Sequence, residues 1–172
     1  NIWTGLWRDG CGATAPDGCK PENALTGQIS WFENTTSILV PAAYKNYRFW
    51  RNTSVAVLGA GQTATLPAGT LGYEWDWEQP AYAVNNPSGR FTLSSTTVTG
   101  KTHKLSLYRH SSGALVFGAG TIQWSWGLDG THDRGASTPS VIMQQATVNL
   151  LADMGVQPAT LQAGLVAATA ST

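Results

Sequence analysis

The chain has 172 residues, a length for one domain, and its 42% hydrophobic composition with eight Trp, five Tyr and four Phe supplies ample apolar surface for a core. Lys plus Arg and Asp plus Glu number ten each, so the formal net charge is zero, which sets aside nucleic acid and anionic membrane surfaces as partners. Only 12% of residues are charged, about half the usual share, and no apolar run is long enough to span a membrane.

Residues 1–27 read as irregular. Cys11 and Cys19 lie in "DGCGATAPDGCKPE", a loop of Gly, Pro and Asp whose short separation permits a disulfide. Closing it would remove roughly 2–3 kcal/mol of unfolded-state entropy. A metal half-site and two free thiols are the alternatives, although two Cys without nearby His fall short of a zinc set. The disulfide reading implies an oxidising compartment, and the low charge suits a secreted or cell-surface protein. No leader is visible at "NIWTGLWRDG", so an exported form would carry it upstream.

Strand-like runs follow: "QISWF" (28–32), "SILVPA" (37–42), "YRFWRN" (47–52), "SVAVL" (54–58) and "TATLP" (63–67). Each joins β-branched and aromatic residues between Gly, Pro and Asn breaks. "GTLGYEWDWE" (69–78) alternates, with Tyr73, Trp75 and Trp77 on one face and Glu74, Asp76 and Glu78 on the other. "AYAVNNPSGR" reads as a loop, and "FTLSSTTVT" (91–99) and "HKLSLYRH" (103–110) as strands. "SSG" (111–113) turns the chain into "ALVFGAGTIQWSWGL", so 103–126 reads as a hairpin with "TIQWSW" as an inner strand. One helix is expected over about 139–154, capped by Thr138, with Pro139 in its first turn and Gly155 after its end. Gln145, Asn149 and Asp153 form a narrow polar stripe along an otherwise apolar helix, which predicts burial against a sheet. The chain thus divides into a cysteine-loop segment (1–27), a folded region (28–158) and a linker (159–172). Unaided, the pattern supports a β-rich α+β domain.

Three groups are candidates for chemistry. Tyr73, Glu74 and Asp76 offer hard oxygens that suit iron or activate water. Tyr73 and Glu74 point to opposite faces of a strand, so the competing reading is an amphipathic strand with acids in water. Asp129, His132 and Asp133 place carboxylates and an imidazole in one glycine-rich loop, where mixed His and Asp ligation would fit iron or zinc, His132 could act as a base, or the group could simply cap turns. Trp75/Trp77 and Trp124/Trp126 are pairs two apart, each projecting from one strand face; exposed they would stack on a glycan, buried they fill the core. Glu74, Asp129 and His132 are thus the catalytic candidates, and Trp124, Trp126 and Asp133 the ligand-binding ones. "GAG" (118–120) lacks the rest of a dinucleotide fingerprint, and Ser111 and Ser112 lack an elbow motif and a base. The sequons at Asn34 and Asn52 would matter only in a eukaryotic secretory pathway.

Taken together, "GTLGYEWDWE", "LSLYRHSSGALVFGAGTIQWSWGLD" and "MQQATVNLLADMGVQPATL" make the chain resemble the C-terminal region of the N,N-dimethylformamidase large-subunit-like domain. That region also occurs in large secreted bacterial multidomain proteins, the branch this chain resembles more. The resemblance implies a class I glutamine-amidotransferase-like three-layer α/β fold, of which this chain would be the β-rich second half plus its closing helix. It further implies an upstream half of the same domain as partner, and a mononuclear iron held by tyrosine and glutamate, whose positions in this sequence it does not assign. Two functions follow: a structural or ligand-binding module of a large secreted or cell-surface protein, or a metal-dependent amidohydrolase cleaving a formamide-type C–N bond.

Overall fold

The computed structural model describes Arg8, residues 20–31 and residues 34–170, without the side chains of residues 30 and 31. Cys11 and Cys19 lie outside the described residues. The elements are α1 (Asn23–Thr26), β1 (Ile29–Trp31), β2 (Leu39–Pro41), β3 (Thr63–Thr65), β4 (Asp76–Trp77), β5 (Phe91–Thr92) and β6 (Thr96–Val98). They continue with β7 (Lys101–His103), β8 (Ser106–Arg109), β9 (Leu115–Gly118), β10 (Thr131–His132), β11 (Gly135–Ala136) and α2 (Val141–Asp153). Among the described residues every ladder is antiparallel: β1–β4, β2–β3, β6–β7 and β10–β11 pair, and β5–β8–β9 make a three-stranded sheet. The class is α+β, rich in short strands, with one long helix among the described residues.

A hairpin forms within the expected 103–126 but is shorter, with Arg109 opposite Leu115 and Ser106 opposite Gly118, while His103 pairs with Thr96 instead. Two expected strands are instead 3₁₀ turns, Arg48–Trp50 and Ser54–Val57, closed by i to i+3 bonds such as Trp50 N–H to Tyr47 O (2.9 Å). The reason is burial: adjacent Phe49 and Trp50 both enter the core, which alternation on a one-sided strand forbids. Trp50 also satisfies its indole, donating to Leu93 O (3.0 Å). The inner strand expected at "TIQWSW" is likewise corrected, because Trp124–Gly127 is a 3₁₀ helix. Trp124 turns into an aromatic cluster with Phe117 (5.4 Å) and Phe49 (6.3 Å) rather than standing beside Trp126 on a strand face. Residues 69–78 are extended over less than expected, with a ladder at Asp76–Trp77 and isolated bridges at Leu71 and Trp75.

The long helix runs Val141–Asp153, and its cap is Ser140 rather than Thr138: the Ser140 hydroxyl accepts from Met143 N–H (3.3 Å). Gly127 lies directly against the Met143 thioether, so a Cβ there would collide with it. Met143, Ala146 and Leu150 join Ile38, Val40, Trp50, Leu71, Trp75 and Leu105 in the core. The polar stripe faces inward. Asn149 is fully buried and donates to Phe49 O (2.8 Å) and Arg51 O (2.6 Å), while Asp153 binds Arg48 and Arg51. Residues beyond the helix return to it, since Gln145 and Val166 exchange two hydrogen bonds (2.8 and 2.9 Å).

Candidate functional site

Extended backbone at 74–76 lies beside 120–122. Trp75 and Thr121 form an antiparallel bridge, Asp76 N–H donates to Gly120 O (2.8 Å) and Ile122 N–H to Glu74 O (3.3 Å). A cleft of about 360 Å³ opens along this seam, lined by Glu74, Trp75, Asp76, Gly120, Thr121 and Ile122. Residues two apart in extended chain share a face, so Glu74 and Asp76 both border the cleft. Trp75 turns the other way into the core, where its indole donates to Asn34 O (2.8 Å).

The three acids of this stretch have different surroundings. Glu74 is exposed. Glu78 binds Arg90 and Lys104; burial opposes its ionisation, but those two cations hold its pKa below the usual carboxylate value. Asp76 is half-buried, and its carboxylate makes no hydrogen bond to any described residue. Burial raises its pKa from 3.8 to about 6; the nearby Glu22 carboxylate adds to the rise and Arg8 offsets part of it. Glu22 is itself held by Arg8. A half-desolvated carboxyl with no hydrogen-bond partner among the described residues, set in a cleft, is the kind of group that marks a site.

The wall behind the cleft is closed by Gly120 (φ 58°), where a Cβ would meet Gln28 and His103. Gln28 fixes this wall by bridging Lys104, accepting from its N–H (2.7 Å) and donating to its carbonyl. His103 is fully buried, and its Nε2 lies 2.8 Å from Ala119 O, which only accepts, so Nε2 carries the proton. Its Nδ1 has no partner among the described residues, and burial pushes its pKa down to about 4, which keeps the ring neutral at ordinary pH.

The 129–137 loop closes on itself. Asp129 accepts from Thr131 N–H (2.6 Å), making a turn cap. His132 stacks on Trp126 with ring centroids 4.1 Å apart and planes 9° from parallel. Its Nδ1 is 2.6 Å from Asp133 O and its Nε2 2.9 Å from Ser137 Oγ, which donates to Trp126 O (2.9 Å). Both imidazole nitrogens are thus engaged within the loop, and one face of Trp126 is covered. The Asp133 side chain is exposed, 3.7 Å from Arg134. Arg134 in turn lies over the Tyr73 ring at 4.1 Å, joining the loop to the stretch that carries Glu74.

Glu74 therefore borders the cleft, whereas Asp129, His132 and Asp133 belong to the neighbouring loop, and no hydrogen bond joins the two groups. Trp124 packs inward and Trp126 holds His132. The sequence pattern placed Asp76 among the acids of this stretch but gave no signal for its isolation, which depends on Arg8, Glu22 and the 120–122 segment. His103 and Gly120 carried no signal either. Among the described residues no three of His, Cys, Asp and Glu gather where they could hold a metal, and the Tyr73 ring is covered by a cation.

Residues 1–137 match the family model described as N,N-dimethylformamidase beta subunit-like, C-terminal, and the chain belongs to that family. No curated protein and no solved structure matches it.

Proposed function

We propose that this member of the N,N-dimethylformamidase beta subunit-like, C-terminal family serves as a ligand-binding module of a larger secreted or cell-surface protein, with the cleft between 74–76 and 120–122 as its binding site. The observation that carries this reading is Asp76. Its carboxyl has given up part of its hydration without gaining a hydrogen-bond donor among the described residues, so a ligand that donates there relieves the cost of that burial. Low charge and the Cys11–Cys19 disulfide reading support export. In the parent protein an upstream half would complete the three-layer amidotransferase-like arrangement.

A second reading places formamide-type C–N hydrolysis at the same cleft. The pKa of Asp76, about 6, favours it, because a proton-transfer group works best when it titrates near the operating pH. An iron in that reading would be held by tyrosine and glutamate, as the resemblance implies, at positions it does not assign in this sequence.

One titration tests both. N,N-dimethylformamide, methylguanidinium and a neutral oligosaccharide are added in turn while the amide resonances of Asp76, Thr121 and Ile122 are followed, and formate and dimethylamine are assayed. The oligosaccharide is included because Trp126 is half-buried rather than sealed in the core. Saturable shifts at those three amides, lost in Asp76→Asn, are expected. Silence at all three with every probe would contradict the binding reading. Stoichiometric formate lost in Asp76→Asn would establish hydrolysis.

A further inference from the structure

A second cavity, of about 230 Å³, lies between the Arg48–Trp50 turn and one face of the β5–β8–β9 sheet. The register explains its apolar character. Phe91 is opposite Leu107, Leu107 opposite Phe117 and Arg109 opposite Leu115, so one sheet face presents a continuous apolar strip ending at an arginine. Phe49, which lines the cavity, is backed by Phe117 stacked on it at 5.2 Å. Two aromatic rings stand open. Phe91 is 49% exposed and Tyr47 36%, and they tilt against each other at 5.6 Å. A Phe that exposed, continuous with buried Phe49 and Leu93, is apolar area that folding leaves uncovered.

The rim is positively charged. Arg48, Arg109 and Asp153 all border the cavity, and Asp153 is shared between Arg48 and Arg51. Three guanidinium groups therefore stand against one carboxylate. Arg109 is exposed and commits Nη1 to Gly113 O (2.8 Å), and no carboxylate among the described residues pairs with it. An apolar slot with an aromatic mouth and an unbalanced arginine at its edge suits a ligand with an apolar body and an anionic head.

We propose that this cavity binds a small apolar carboxylate, an aryl or branched alkyl acid, with its hydrocarbon between Tyr47, Phe91 and the Leu107 strip and its carboxylate on Arg109. The site is independent of the Asp76 cleft, shares none of its lining residues and stands whether or not that cleft binds a ligand.

Phenylacetate, benzyl alcohol and phenethylamine, which share a ring and differ in head group, are titrated against the folded chain while the amides of Phe91, Leu107 and Arg109 are followed. Saturable shifts with phenylacetate are expected, with phenethylamine about tenfold weaker or more, the factor set by one charge-assisted contact. Arg109→Gln should weaken phenylacetate about tenfold and leave benzyl alcohol unchanged, Arg109→Lys should retain most of the affinity, and Phe91→Ala should weaken all three. Equal affinity for the acid and the amine would overturn the proposal, as would no saturable shift with phenylacetate or an Arg109→Gln variant that binds it normally.

Discussion

Asp76 holds its proton more tightly in the folded chain than in the unfolded one. Its contribution to stability therefore falls as pH rises from 3.8 to about 6, and the cost is complete above that. The shift corresponds to roughly 3 kcal/mol, reduced by whatever solvent screens this half-buried group. His103 acts in the opposite sense. Its imidazole titrates at 6.5 when unfolded and at about 4 when folded, so protonation favours unfolding and stability falls as pH drops through that interval. Between about pH 4 and 6 the two slopes oppose each other. Asp76→Asn removes one of them. We expect it to stabilise the chain by roughly 1–3 kcal/mol near pH 7.5, to change little near pH 3.5, and to steepen the loss of stability between about pH 6 and 4, where His103 then acts unopposed. Urea unfolding across this range checks the pattern; a change of the same size at every pH would show that Asp76 is not desolvated.

Among the elements, α2 shows how far periodicity reaches. Its existence and ends were readable to within two residues, from capping chemistry at the start and Gly155 beyond the end. The stripe at Gln145, Asn149 and Asp153 was readable as polar, but its inward direction was not, since its partners are the carbonyls of Phe49 and Arg51 about a hundred positions away. Those carbonyls are available because 48–50 forms a 3₁₀ turn, and the same residues read locally as a strand. Aromatic and β-branched composition gave "YRFWRN" and "SVAVL" the appearance of strands, and tertiary burial of Phe49, Trp50 and Val55 overrode it. Asn149→Ala would leave two carbonyls in the interior without donors. We expect a loss of roughly 2–4 kcal/mol, measured as a lower urea midpoint at unchanged slope. A loss under about 0.5 kcal/mol would show that water replaces the amide.

At the scale of the whole molecule, the β-rich α+β class, the first part of the 103–126 hairpin and the long helix α2 were legible, because each rests on local pattern. The cleft was not. It arises where residues 74–76 meet 120–122 and where Arg8 and Glu22 approach Asp76, and no local pattern encodes a pairing across more than forty positions. The loop at Asp129–Ser137 shows the converse. Its residue types suggested chemistry, but the hydrogen bonds of Asp129 and His132 close within the loop. The match to the amidase family ends at residue 137, yet α2 beyond it supplies Met143, Ala146 and Leu150 to the same core. Folding of the cleft is thereby tied to a helix outside the matched stretch. The most direct test of the account is the titration of the Asp76 side-chain carboxyl by carbon-detected NMR, assigned with Asp76→Asn. A midpoint of about 6 is predicted; a midpoint near the ordinary aspartate value of about 3.9 would mean a fully hydrated group and would remove the cleft as the functional site.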